Sequence, residues 1–156
     1  MVLKLNLKTK EELDALLLFL DIVERKIFKK ETFDILKLGE KWSHYPWFDK
    51  TRDMIEQGSS GSYDEKLLVI KDLNKWARGL EQVKLVLPFQ PSQEFINKVY
   101  AGLEPSEPSG FILDMTVDKT ITSGGRLFRR GRYIDLTLKS RIEDLIGKEN
   151  VIAKYL

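Results

Sequence analysis

Four arginines, Arg126, Arg129, Arg130 and Arg132, stand within one seven-residue stretch of the chain. Guanidinium groups at that density suit anion recognition, because their planar forks meet phosphate or carboxylate oxygens in paired hydrogen bonds. Over residues 119–141, seven basic residues stand against a single acid, Asp135, a local balance of +6. Phe128 and Tyr133 interleave with the arginines, which is the makeup of a surface that stacks and neutralises single-stranded RNA. Two other readings fit the same residues. Arginine-rich hairpins also dock acidic protein surfaces, and charged edge strands resist edge-to-edge aggregation.

Chemistry of the bond-breaking kind finds little to work with. Asp114 and Asp118 are four apart on an alternating segment and would share one strand face. Paired carboxylates can do acid–base work, but acids on the wet face of a sheet are ordinarily solvated charge. His44, the single histidine, lies in an aromatic corner with Trp42, Tyr45, Trp47 and Phe48 and reads as structural. The corner itself has two equal readings. Trp47 and Phe48 are partner-contact candidates because large aromatics anchor interfaces, and they equally suit the closing of a small helical unit. Gly124-Gly125 is followed by an alternating strand pattern, whereas a phosphate cradle wants a helix N-terminus, and no Lys-Ser or Lys-Thr P-loop exists. The chain therefore presents no catalytic set, no cofactor site and no metal site, and the expectation is a non-enzymatic protein.

Composition narrows the field further. With no cysteine, disulfide scaffolds, thiol nucleophiles, zinc ribbons and iron–sulfur sites are excluded, and one histidine excludes a multi-histidine metal centre. The 26 basic and 24 acidic residues leave a net +2, which argues against a protein coated by nucleic acid but permits a local basic patch. A length of 156 residues fits one ordinary domain or two small ones. The N-terminal residues alternate apolar and polar without an apolar h-region, so no signal peptide is expected. The longest apolar run, 15–20, is far short of the ~20 residues of a membrane span.

Periodicity supplies the elements that must position these residues. Thr9 caps a first helix along which Leu13, Leu16, Leu17, Leu20, Val23 and Ile27 recur at helical spacing. Leu18, Phe19 and Ile22 widen its apolar arc, as in a core helix or one that offers a second face to a partner. A second helix is expected over about 31–42, with Phe33, Leu36 and Trp42 inward, and a third over about 47–57. The segment 58–62, Gly-Ser-Ser-Gly-Ser, reads as a flexible linker. A fourth helix over about 63–80 follows, and then the period changes from 3.6 to 2 at Val83, Leu85, Leu87 and Phe89. Ser92 caps a helix carrying Phe95, Ile96, Val99 and Leu103. Phe111, Leu113, Met115 and Val117 form a second strand, and two short strands meet in a hairpin at Gly131. A last helix is expected over 136–146, capped by Asp135 or Thr137. The fold class is thus α+β, an N-terminal helical bundle followed by a small α/β domain of order β-α-β-β-β-α. The expected division is 1–57 helical domain, 58–62 linker, and 63–156 helix plus α/β domain.

The ordered series in the second half resembles a known family. It comprises Val83 to Glu94 as strand and capped helix, Leu113-Asp114-Met115-Thr116-Val117-Asp118 with Ile121, the Gly124-Gly125 pair, and Gly131-Arg132-Tyr133-Ile134-Asp135-Leu136-Thr137-Leu138 with Arg141-Ile142 and Leu145. This resembles the C-terminal domain of the delta subunit of F-type ATP synthase, the oligomycin-sensitivity-conferring protein family, over residues 82–147. Arg132 stands where that family usually has aspartate, and Thr137 where it has serine. The helical part preceding 58–62 has room for about three helices, a shortened form of the family's six-helix bundle. The resemblance implies a structural stator subunit that joins the catalytic head to the peripheral stalk. Its implied partners are the alpha subunits and the b-subunit helices, on the cytoplasmic side of an energy-transducing membrane. Gly124, Gly125 and Gly131 would be fold-defining turns, Asp135 a helix cap, and Arg126, Arg129, Arg130, Arg132, Trp47 and Phe48 the partner-contact candidates. The alternatives are a small RNA-binding α/β module built on the arginine hairpin, and an adaptor that kept the delta-like domain without the synthase.

Overall fold

The computed structural model describes residues 5–29, 34–57, 63–106 and 110–137. Helix α1 (Lys10–Phe28) begins where Thr9 closes a capping box: its hydroxyl accepts from the Glu12 amide at 3.3 Å, and the Glu12 carboxylate accepts from the Thr9 amide at 3.2 Å. Two of the donors that every helix start leaves unpaired are satisfied this way. Leu13, Leu16, Leu20, Val23 and Ile27, spaced three and four apart, form its buried stripe. Phe19 is buried as well, whereas Leu18 is about half exposed at 48%.

The second helix is shorter than its expected span. Asp34 caps α2 (Ile35–Gly39) by accepting from the Leu36 amide, and a 3-10 turn, Glu40–Trp42, follows. Residue 33 lies outside the described residues. At Gly39, the last residue of α2, the Phe48 ring lies against the backbone, in the space that a Cβ would fill. Helices α3 (Phe48–Gln57) and α4 (Tyr63–Arg78) complete this part, and α4 buries Ile70, Leu73 and Ala77 and packs on α1 and α3.

The chain divides into two units, Met1–Glu81 and Gln82–Leu156. That boundary differs from the expected one at 58–62, a segment outside the described residues. The reason is α4, whose apolar stripe faces α1 and so belongs to the helical unit.

The second unit is built on a four-stranded mixed sheet of order β2-β1-β3-β4. Strand β1 (Glu81–Leu87) buries Val83, Leu85 and Leu87, and Pro88 follows its last residue. Ser92 caps α5 (Gln93–Leu103), its hydroxyl accepting from the Phe95 amide. The chain then returns as β2 (Phe111–Val117) beside β1. The Asp118 amide donates to the Leu87 carbonyl, so the C-terminal ends of β1 and β2 lie together. Val83, Phe111 and Leu113 form the core on one sheet face, covered by Ile96, Val99, Tyr100 and Leu103 of α5. Strands β3 (Arg126–Arg129) and β4 (Arg132–Asp135) pair as an antiparallel hairpin, and β3 also pairs antiparallel with β1. The α+β class with helices first is therefore the observed one. The expected helix over 136–146 lies beyond residue 137, outside the described residues. Among the described residues, no helix is long and apolar enough to cross a membrane.

Candidate functional site

The hairpin turns on two residues, Arg130 and Gly131, with φ of 48° and 72°. Positive φ at both central positions is the requirement of a type I′ turn, whose twist matches that of the strands. Gly131 meets that requirement without strain. Arg130 carries a Cβ into the left-handed region, where Asn, Asp or Gly is the favoured residue.

The register then sorts the arginines. Phe128 pairs with Tyr133, Arg126 with Asp135, Leu127 with Ile134, and Arg129 with Arg132. Because side chains alternate across a sheet, Arg126, Phe128, Tyr133 and Asp135 share one face, and Leu127, Arg129, Arg132 and Ile134 share the other. Leu127 packs on the core under α5, which identifies the second face. Arg130 sits at the exposed tip. The sequence cluster is thereby divided: Arg126 faces the same way as the rings, while Arg129 and Arg132 face the opposite way.

On the open face, the Phe128 and Tyr133 rings lie 4.9 Å apart at 41°, 39% and 52% exposed. Lys84 of β1 stands opposite Phe128. Arg126 lies between two carboxylates, its Nη1 3.5 Å from Asp118 and its Nε 3.8 Å from Asp135. The second distance is an electrostatic contact and too long for a hydrogen bond. Asp135 accepts from the Tyr133 hydroxyl at 2.7 Å and from the Thr137 amide at 2.9 Å. Hydrogen bonds from Thr137 first, then from Tyr133, with Arg126 adding its charge, hold the Asp135 carboxyl down at about 2. The same bond to Asp135 raises the Tyr133 phenol. Asp118 accepts from the Thr120 hydroxyl and amide, which lowers its carboxyl, with Arg126 assisting.

The glycines are fold-defining. Gly124 has φ of 87°, and a Cβ there would overlap the Leu136 carbonyl. The Leu136 amide donates to the Gly125 carbonyl at 2.9 Å, and a Cβ on Gly125 would sit 3.0 Å from the Val86 carbonyl oxygen. The pair thus lets the end of β4 close directly over the entry to β3.

The remaining residues weighed in the sequence fall as follows. Trp47 and Phe48 are buried, at 0% and 2% exposed, with Phe19 5.8 and 5.5 Å away and Trp42 5.4 Å from the same ring. They close the helical unit and offer no surface to a partner, which corrects their place among the contact candidates. Asp118 lies past the end of β2 in the turn with Thr120, so it forms no strand-face pair with Asp114. His44 is exposed and lies against Tyr45 with ring centroids 4.1 Å apart. Among the described residues, no group of three or more His, Cys, Asp or Glu side chains could hold a metal ion. The anchoring roles of Asp118 and Thr120 are additional to the expected site. Their signal is the Asp-x-Thr spacing, in which a carboxylate caps its own chain two residues on.

Together the described residues form a locked sheet end, an exposed ring pair and an arginine tip. No protein-family model and no curated protein matches the chain.

Proposed function

We propose that the chain is a non-catalytic peripheral-stalk subunit of a rotary F-type ATP synthase, linking the catalytic head to the b-subunit stalk. The observation that carries this reading is the closure of the sheet at Gly124-Gly125. The resemblance rests on an ordered series of strand, capped helix, strand, Gly-Gly and hairpin; the strands belong to one sheet, the helix packs on it, and the sheet's geometry needs glycine at that pair. A fold carries no function by itself, so the reading also draws on the site, whose described residues form ion pairs, a ring pair and caps.

The second reading, an RNA-binding module, is favoured by the exposed Phe128–Tyr133 pair beside Lys84. The sheet pleat weighs against it. Base stacking needs cations on the ring face, and there Arg126 is shared between Asp118 and Asp135 and Arg129 and Arg132 face away, so Lys84 is the cation opposite the rings.

Affinity capture from native membranes with the full chain as bait, followed by mass spectrometry, tests the proposal. Recovery of alpha, beta and b subunits is the expected result. Recovery of RNA in a salt-sensitive manner, without those subunits, overturns it.

A further inference from the structure

We propose that β4 is an open sheet edge on which a second copy of the chain docks, the two β4 strands pairing antiparallel about Ile134. Among the described residues, β4 has a neighbouring strand on one side only, β3. The ladder decides which backbone groups turn to the other side. The Leu136 amide donates to the Gly125 carbonyl at 2.9 Å, one step along the register that pairs Arg126 with Asp135. Bonded and non-bonded pairs alternate in an antiparallel ladder. Arg132 and Ile134 therefore bond to β3, as Leu136 does, and the amides and carbonyls of Tyr133 and Asp135 turn outward. A row of outward backbone groups is a template for another strand. Its side chains are apolar and half exposed, with Tyr133 at 52%, Ile134 at 46% and Leu136 at 45%. The strand at the opposite edge, β2, instead buries Phe111, Ile112 and Leu113 at 1%, 0% and 0%.

The sequence of β4 selects a second copy as the occupant. A two-fold axis normal to the sheet brings together side chains of the same face, so the pairing must centre on a single residue. Centred on Ile134, it sets Ile134 against its own copy, Tyr133 against Asp135 and Arg132 against Leu136. The outward groups of Tyr133 and Asp135 then exchange hydrogen bonds with those of Asp135 and Tyr133 in the second copy. No like charges stand opposite each other, and the antiparallel course carries the two arginine tips to opposite ends. Centring on Asp135 would oppose two carboxylates, and centring on Tyr133 would set Ile134 against Arg132. Charge on an edge strand ordinarily resists pairing. Here β4 carries one charge of each sign, Arg132 and Asp135, and both lie off the two-fold axis.

Analytical ultracentrifugation of the full chain from about 1 μM to about 1 mM, with amide exchange at both ends of that range, tests the pairing. Expected is a reversible dimer in which the Tyr133 and Asp135 amides exchange more slowly as concentration rises. The chain has no cysteine, so Ile134→Cys carries the sole thiol. Directly opposed non-bonded residues have Cα atoms about 4.5 Å apart, within disulfide reach, whereas a Tyr133→Cys thiol meets its copy only on the diagonal, about 7–8 Å away. Oxidised glutathione should therefore cross-link Ile134→Cys and leave Tyr133→Cys largely single. Ile134→Lys opposes two ammonium groups and should weaken the dimer at least tenfold, with amide protection in β3 retained. A wild type that stays monomeric across the range overturns the proposal, whether its Tyr133 and Asp135 amides are open or are protected by other residues of the same chain. So does cross-linking of Tyr133→Cys as fast as that of Ile134→Cys, or a dimer that Ile134→Lys leaves unchanged. Capture of synthase subunits is read separately, so the stator reading stands or falls without this pairing.

Discussion

Gly124 shows how much a single missing methyl group can decide. Its φ of 87° and the Leu136 carbonyl behind it leave an L-residue no room on two independent grounds. Gly124→Ala is expected to destabilise the second unit by roughly 2–4 kcal/mol, read as loss of amide hydrogen-exchange protection across β3 and β4. An unchanged protection pattern would refute this. Asp135 acts at the same end of the sheet through charge. Its carboxyl is held at about 2, below the value near 3.9 of an unfolded chain. The stabilisation is therefore present in full above about pH 4 and disappears as pH falls through about 2. Asp135→Asn should be less stable than the wild type at neutral pH, and the gap should close on acidification toward pH 2. A gap that stays constant with pH would show that the charge of Asp135 contributes nothing to the hairpin.

At the scale of elements, the helix cap of α1 has the largest leverage, since that helix supplies Leu16, Phe19, Leu20 and Val23 to the helical core. Thr9→Ala removes one half of the capping box and should cost about 1 kcal/mol in the denaturation midpoint, with Thr9→Ser restoring most of it. Most elements were legible because their periods are strong: the three-and-four stripe of α1, the alternation of β1, and the glycine between two short strands. Three things were not. The end of the helical unit was hidden because the apolar stripe of α4 does not say which surface it meets, and a Gly/Ser segment looks like a boundary wherever it falls. The length of α2 is not legible because its start is set by the Asp34 cap, one acid among many along the chain. The division of the arginines followed from strand alternation alone, yet counting charges along the chain conceals it.

For the whole molecule, a net charge of +2 says little about association, because the +6 of residues 119–141 is offset by acids elsewhere. Binding of anions at the hairpin should follow the local charge and weaken with salt. The helical unit contributes differently, holding its aromatic side chains inside around Phe19. That packing has a spectroscopic consequence. All three tryptophans, Trp42, Trp47 and Trp76, belong to the unit ending at Glu81, and the sheet unit has none. Indole emission is therefore a private signal of the helical unit, blue-shifted by the burial of Trp42 and Trp47. Gly39→Ala, which drives Phe48 from its seat beside Trp47, should cost about 1–3 kcal/mol and move that emission to the red. Unaltered emission would mean that the ring was never held against Gly39. Changes at Gly124 or Arg130 have no indole in their own unit to report them, so folding defects of the hairpin are to be read from amide signals of that unit.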